Sequence, residues 1–161
     1  MRATESARSE NARNLSRFFN ESGYTNICIY IRRRRPPGIL QRFLRLQVGE
    51  AAISVITFGE LIYGAEKSEQ REAAMRQLEE LASLMPVLPL PVDAGRSYGA
   101  LRAELEADGR VIGNNDLWIA AHAKAAKLIL VTNNEREFQR VSGLEIQNWA
   151  KSEGPTSSLP Q

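Results

Sequence analysis

The stretch AAISVITFGELIYGAEKS, residues 51–68, decides the architecture. Ala51 to Ile56 is an apolar, partly β-branched run of strand length, as a strand covered on both faces requires. Thr57-Phe58-Gly59-Glu60 then passes into Leu61, Ile62 and Ala65, the opening of a helix. Downstream, Met75, Leu78, Leu81, Ala82 and Met85 recur at three- and four-residue spacing, so a second long helix packs one face inward. Val87-Leu88, followed by Pro89, predicts a short or edge strand, because proline supplies no ladder donor. Asp93 reads as the cap of a helix through Tyr98, Leu101 and Leu105, stopped by Asp108-Gly109. Asn114-Asn115-Asp116 opens an alanine-rich helix to Lys127, and Leu128 to Val131 is another buried-strand run. Glu135 to Arg140 allows one or two helical turns, and Leu144 to Ile146 a last short strand. Upstream, Pro36-Pro37 suits a helix start, and Ile39, Leu40, Phe43, Leu44 and Leu46 follow at helical spacing. Residues 1–23 are polar and show no strand pattern. Strands alternating with helices predict an α/β fold, a three-layer α/β/α sandwich around a mainly parallel central sheet. Ligands of such sheets bind at the carboxyl ends of the strands.

Composition narrows the class. The 161 residues suit one domain, and 43% apolar with 25% charged content is that of a globular chain. No apolar run approaches the roughly 20 residues that span a bilayer, and residues 1–23 lack the apolar core of a secretory signal. The single cysteine, Cys28, cannot form an internal disulfide, which suits a reducing cytoplasm, the expected location. Twenty-one basic residues against 19 acidic ones give +2, too mild a charge to announce a nucleic-acid partner. Their placement says more: Arg32, Arg33, Arg34 and Arg35 form a compact patch able to grip a phosphate backbone, or simply a solvated helix entrance. No nucleophile elbow, P-loop or glycine-rich dinucleotide fingerprint occurs.

Beyond the strand ends lie Glu60, Asp116 and Thr132-Asn133-Asn134, with Tyr24, Thr25 and Asn26 further upstream. Paired carboxylates suit Mg²⁺, a hard cation that prefers oxygen ligands and keeps several waters. Local structure offers other uses for the same residues. Thr57-x-x-Glu60 fits a capping box, and Asp116 fits an N-cap or first-turn acid. Asn133 and Asn134 are common turn residues. His122, the single histidine, lies six residues past Asp116 and so well around the helix from it; it reads as structural.

Several blocks resemble a known family. Thr25-Asn26-Ile27-Cys28-Ile29-Tyr30, the run from Ile53 to Ser68, Ile112-Gly113-Asn114-Asn115-Asp116, Ile119-Ala120-Ala121-His122-Ala123, and Val131-Thr132-Asn133-Asn134 with Arg136-Glu137-Phe138 are similar to the VapC toxins. Those are PIN-domain ribonucleases of type II toxin–antitoxin systems. The resemblance runs from Tyr24 to Trp149 and implies a PIN fold and an endoribonuclease dependent on Mg²⁺ or Mn²⁺. It further implies an RNA substrate, a homodimer and a cognate VapB-type antitoxin. Position by position, it makes Glu60 and Asp116 the catalytic metal ligands, with Thr25, Asn26, Thr132 and Asn134 as supporting polar groups. The domain expectation is an atypical, poorly ordered segment over 1–23, a PIN domain over 24–150 and a flexible tail over 151–161.

Two departures stand out. The family carries aspartate immediately before Thr-Asn as a principal ligand, and here that position is Tyr24, a neutral phenol. The resemblance therefore admits a second reading, a catalytically impaired homologue that binds antitoxin without cleaving RNA. Residues 16–23, where the family has a central apolar strand, include Asn20-Glu21-Ser22-Gly23. They read as a foreign start, as a shifted frame or misplaced initiation would produce.

Overall fold

A computed structural model describes residues 17–19, 42, 45, 46 and 50–149. Five parallel strands among the described residues form one sheet in the order β3-β2-β1-β4-β5: β1 (Arg17–Phe19), β2 (Ala51–Ser54), β3 (Val87–Leu88), β4 (Ile129–Val131) and β5 (Ile146–Gln147). The helices among the described residues include α1 (Val55–Glu66), α2 (Arg71–Leu84), α3 (Val92–Ala107), α4 (Asn114–Ala126) and α5 (Glu135–Phe138). The strand pairings are all parallel, as helical crossovers demand. The proline-flanked Val87–Leu88 takes the edge, where a missing donor costs no ladder bond.

Alternate side chains of the sheet feed two cores. Ala51 and Ile53 of β2 and Val131 of β4 pack with Ala65, Leu78, Leu81, Met85 and Trp149. Ala52 and Leu130 face the other way, toward Leu101, Leu105, Leu117, Ile119, Ala120 and Phe138. Helices α1 and α2 thus contribute to one layer, and α3, α4 and α5 to the opposite one. On α4, Ala120, Ala121 and Ala123 are fully buried, so small side chains let its backbone lie close to its neighbours.

Three expectations change. Residues 1–23 contain a strand after all: Arg17–Phe19 occupies the centre of the sheet, with Phe19 opposite Ile53 on one side and Val131 on the other. Three residues are too few to display a periodicity, so the pairing of two neighbours defines this strand more than its own pattern does. Second, the strand read over Ala51–Ile56 ends at Ser54. The Ser54 hydroxyl accepts from the Ile56 amide at 3.2 Å and caps α1, which turns Val55-Ile56 into the first helical turn. Thr57 and Glu60 therefore lie inside the helix and form no capping box there. Third, Asp93 sits in the first turn of α3 behind Pro91 at the cap position, favoured by the helix dipole and not as the cap itself. Gly109, at φ +65°, follows the end of α3 as the sequence indicates. Of the helix read after Pro36-Pro37, only Arg42 and Arg45 are described as helical; Ile39, Leu40, Phe43 and Leu44 lie outside the described residues.

His122 is buried at 1% exposure, and its Nδ1 lies 3.1 Å from the Ser54 hydroxyl. Burial pushes its imidazole down from 6.5 to about 4. As pH falls below 6.5 the unfolded chain binds a proton that the folded chain refuses, so stability declines until pH reaches about 4. Full stability from this group is present above pH 6.5, and the total loss is about 3 kcal/mol. Urea titrations between pH 7 and 4 should show that decline, and His122→Asn should lack this component of it. In the core, Phe138 is 0% exposed, so Phe138→Ala should cost about 3–5 kcal/mol in the same titration. Leu84→Ala, at a position 55% exposed, should change stability by less than about 1 kcal/mol.

Candidate active site

Glu60 and Asp116 come from different helices. Glu60 lies on the second turn of α1 and is half-buried; its Oε1 accepts from the Asn115 side-chain amide at 2.8 Å. Asp116 lies in the first turn of α4, also half-buried, and its Oδ2 accepts from the Asn134 side-chain amide at 3.3 Å. Asn115 and Asp116 are neighbours about 100° apart around the helix, so one reaches α1 while the other reaches the segment after β4. These two hydrogen bonds gather Glu60, Asn115, Asp116 and Asn134 at the carboxyl side of the sheet, where a parallel α/β fold places its ligands.

Each partner is held from behind. Thr132 follows β4 with no exposed surface, and its Oγ1 accepts from the Asn134 amide at 3.0 Å in a short hydroxyl turn. Its own N–H donates to the Gln147 carbonyl at 2.9 Å, tying the turn to β5. The start of α4 has no side-chain cap at Gly113. Asn114, next in line, accepts from the Tyr98 hydroxyl at 2.7 Å, and that hydroxyl accepts from Arg102 at 3.0 Å. The Tyr98 ring stacks on Trp118 with centroids 4.0 Å apart, which fastens α3 to the first turns of α4. Asp116 accordingly occupies a first-turn position, where the positive end of the helix dipole favours a carboxylate.

The donor set fits a hard divalent cation. Two carboxylates flanked by amides offer oxygen ligands, and magnesium commonly takes one or two protein carboxylates and fills its octahedron with waters and substrate phosphate. Among the described residues no group of three or more His, Cys, Asp and Glu gathers, so neither a thiolate–imidazole centre nor a full carboxylate cage forms there. His122 faces Ser54 inside the protein, in keeping with a structural histidine. Tyr24, Thr25, Asn26 and Arg32 to Arg35 lie outside the described residues. Sequence reasoning did not single out Asn115 as the partner of Glu60. Its position beside Asp116 was visible, but which helix it faces depends on packing.

Residues 25–144 match the PIN domain. The chain is 46% identical over 125 residues to Ribonuclease VapC2 of Haemophilus influenzae, covering 78% of this chain and 94% of that one. It is 44% identical over 126 residues to the tRNA(fMet)-specific endonuclease VapC of Shigella flexneri, covering 78% and 95%. Among solved structures, DNA-bound VapBC from Salmonella typhimurium superposes with a TM-score of 0.74 at 39% identity, covering 84% of this chain and 98% of that one. The chain belongs to the PIN-domain family and, within it, to the VapC ribonucleases of toxin–antitoxin systems.

Proposed function

We propose that this chain is a metal-dependent endoribonuclease toxin whose divalent cation, Mg²⁺ or Mn²⁺, is held by Glu60 and Asp116. The observation that carries the reading is the pair of hydrogen bonds, Glu60 to Asn115 and Asp116 to Asn134, that assembles acids from two helices at one end of the sheet. When bound, the cation acidifies water and neutralises charge that builds on the scissile phosphate. The protein's share is placement. Asn115 restrains the Glu60 carboxylate, Asn134 restrains that of Asp116, and Thr132 fixes the turn from which Asn134 projects. By the family resemblance, Thr25 and Asn26 serve as supporting polar groups in this reading, and Arg32 to Arg35 as contacts to RNA phosphates. The tRNA specificity in one relative's name suggests a structured RNA as substrate. An antitoxin of the VapB type is the proposed protein partner, supported by structural relatives solved as VapBC complexes. We place the protein in the cytoplasm, in keeping with its single cysteine, and as a homodimer, in keeping with the family resemblance.

Tyr24 favours a second reading, a catalytically impaired homologue, short of one carboxylate ligand, that binds antitoxin without cleaving RNA. A phenol with a pKa near 10 resists the deprotonation that metal ligation asks of it. Loss of a carboxylate ligand leaves the cation less neutralised and the catalyst slower.

Asp116→Asn and Glu60→Gln should each reduce Mg²⁺-stimulated RNA cleavage by about a hundredfold or more while the protein remains folded. Cleavage unchanged in both would reject the assignment. Tyr24→Asp should increase cleavage and intensify growth arrest in cells lacking antitoxin. Equal arrest by the wild-type chain and the Tyr24→Asp variant would mean that this position does not limit the reaction.

A further inference from the structure

We infer that Ser54 and His122 are positioning residues: their buried hydrogen bond fixes the axial register of α1 against α4, and with it the place of Glu60 relative to Asp116. The inference rests on the metal-site reading above and deepens it.

The geometry follows from two ties between the same helices. Ser54 caps α1 and meets His122 of α4, while Glu60, further along α1, meets Asn115 near the start of α4. Chain order runs upward on one helix and downward on the other, so α1 and α4 are antiparallel along this contact. Six residues separate Ser54 from Glu60, and seven separate Asn115 from His122. At 1.5 Å per residue those spans are about 9 and 10 Å, so both ties form in one register. A slip of one residue would move one helix by about 1.5 Å and turn its side chains by about 100°, which breaks both ties together.

The two ties differ in environment. Asn115 is exposed and Glu60 half-buried, so water competes for their hydrogen bond, and a ligand on Glu60 competes as well. Ser54 and His122, at 0% and 1% exposure, are shielded from solvent. The Ser54 oxygen already accepts from the Ile56 amide. The bonding is satisfied when the single hydroxyl proton is donated to Nδ1 of a neutral His122 ring whose own proton is on Nε2. Burial keeps the ring neutral, so the tie persists near pH 7.

The test uses the full chain and two readouts. Mn²⁺ binding is measured by calorimetry on wild type, Ser54→Ala, His122→Leu, His122→Asn and the Ser54→Ala/His122→Leu double variant. Ser54→Ala and His122→Leu should each weaken binding by about tenfold, the size of effect that supporting residues have on metal sites. The double variant should be no weaker than either single, and His122→Asn, which retains a group near the Nδ1 position, should recover most of the affinity. The second readout is the NMR resonance of the Asn115 side-chain amide, which should shift in His122→Leu and return toward the wild-type position in His122→Asn. An unmoved Asn115 resonance in folded His122→Leu, or additive losses in the double variant, overturns the inference. If His122→Leu does not fold, Ser54→Ala and His122→Asn decide it: wild-type Asn115 resonances in both overturn it, and a shift in the first alone supports it. Glu60→Gln and Asp116→Asn serve as references. Should neither affect Mn²⁺ binding, the metal reading fails, while the Asn115 resonance still reports whether the register depends on Ser54 and His122.

Discussion

Ser54 lies where the buried strand β2 stops and α1 begins, and its hydroxyl serves two helices at once. A serine in that place ends a strand, because its oxygen offers the backbone an acceptor that the next sheet position cannot. The same oxygen meets a histidine from the opposite layer of the sandwich, so the chain changes direction at a point already fixed in space. Local capping and long-range packing therefore share one atom. The polar end of the molecule is organised outward from that point: Glu60 stands on the helix that Ser54 starts, and Asp116 on the helix that His122 belongs to.

Apolar content explains why so much of the architecture was readable in the chain. Ala51-Ala52-Ile53 and Leu130-Val131 are buried on both faces, and continuous apolar runs are what such strands require. The helix ends at Asp108-Gly109 and the alanine-rich α4 were equally plain, since a glycine at positive φ and a run of small residues are local signals. The boundary between β2 and α1 was less plain. Val55-Ile56 carries strand composition, and only the capping bond from Ser54 decides for helix. The central strand was least legible, because Arg17–Phe19 owes its conformation to partners far away in the sequence.

The candidate site was legible in its acids and illegible in their neighbours. Glu60 and Asp116 stand out because one carboxylate soon after a strand and another at the opening of a helix are chemically suggestive and match the family's blocks. Asn115 and His122 do not announce themselves. One exposed amide and one lone histidine are ordinary residues until packing sets Asn115 against Glu60 and His122 against Ser54. The Tyr98–Trp118 stack is a similar case: two aromatics on separate helices gain meaning only when their rings meet at 4.0 Å beside Asn114.

The placement of β1 carries an implication for synthesis. Its strand pairs with β2 on one side and with β4 on the other, and β4 comes more than a hundred residues later in the chain. A nascent polypeptide emerging from the ribosome exposes Arg17–Phe19 early and leaves one flank of that strand without its mate until almost the entire domain has been translated. Asp116 and Asn134 belong to the same late portion. A half-made chain thus lacks Asp116 and Asn134 as well as its finished sheet, and under the proposed function RNA cleavage would arise only at completion.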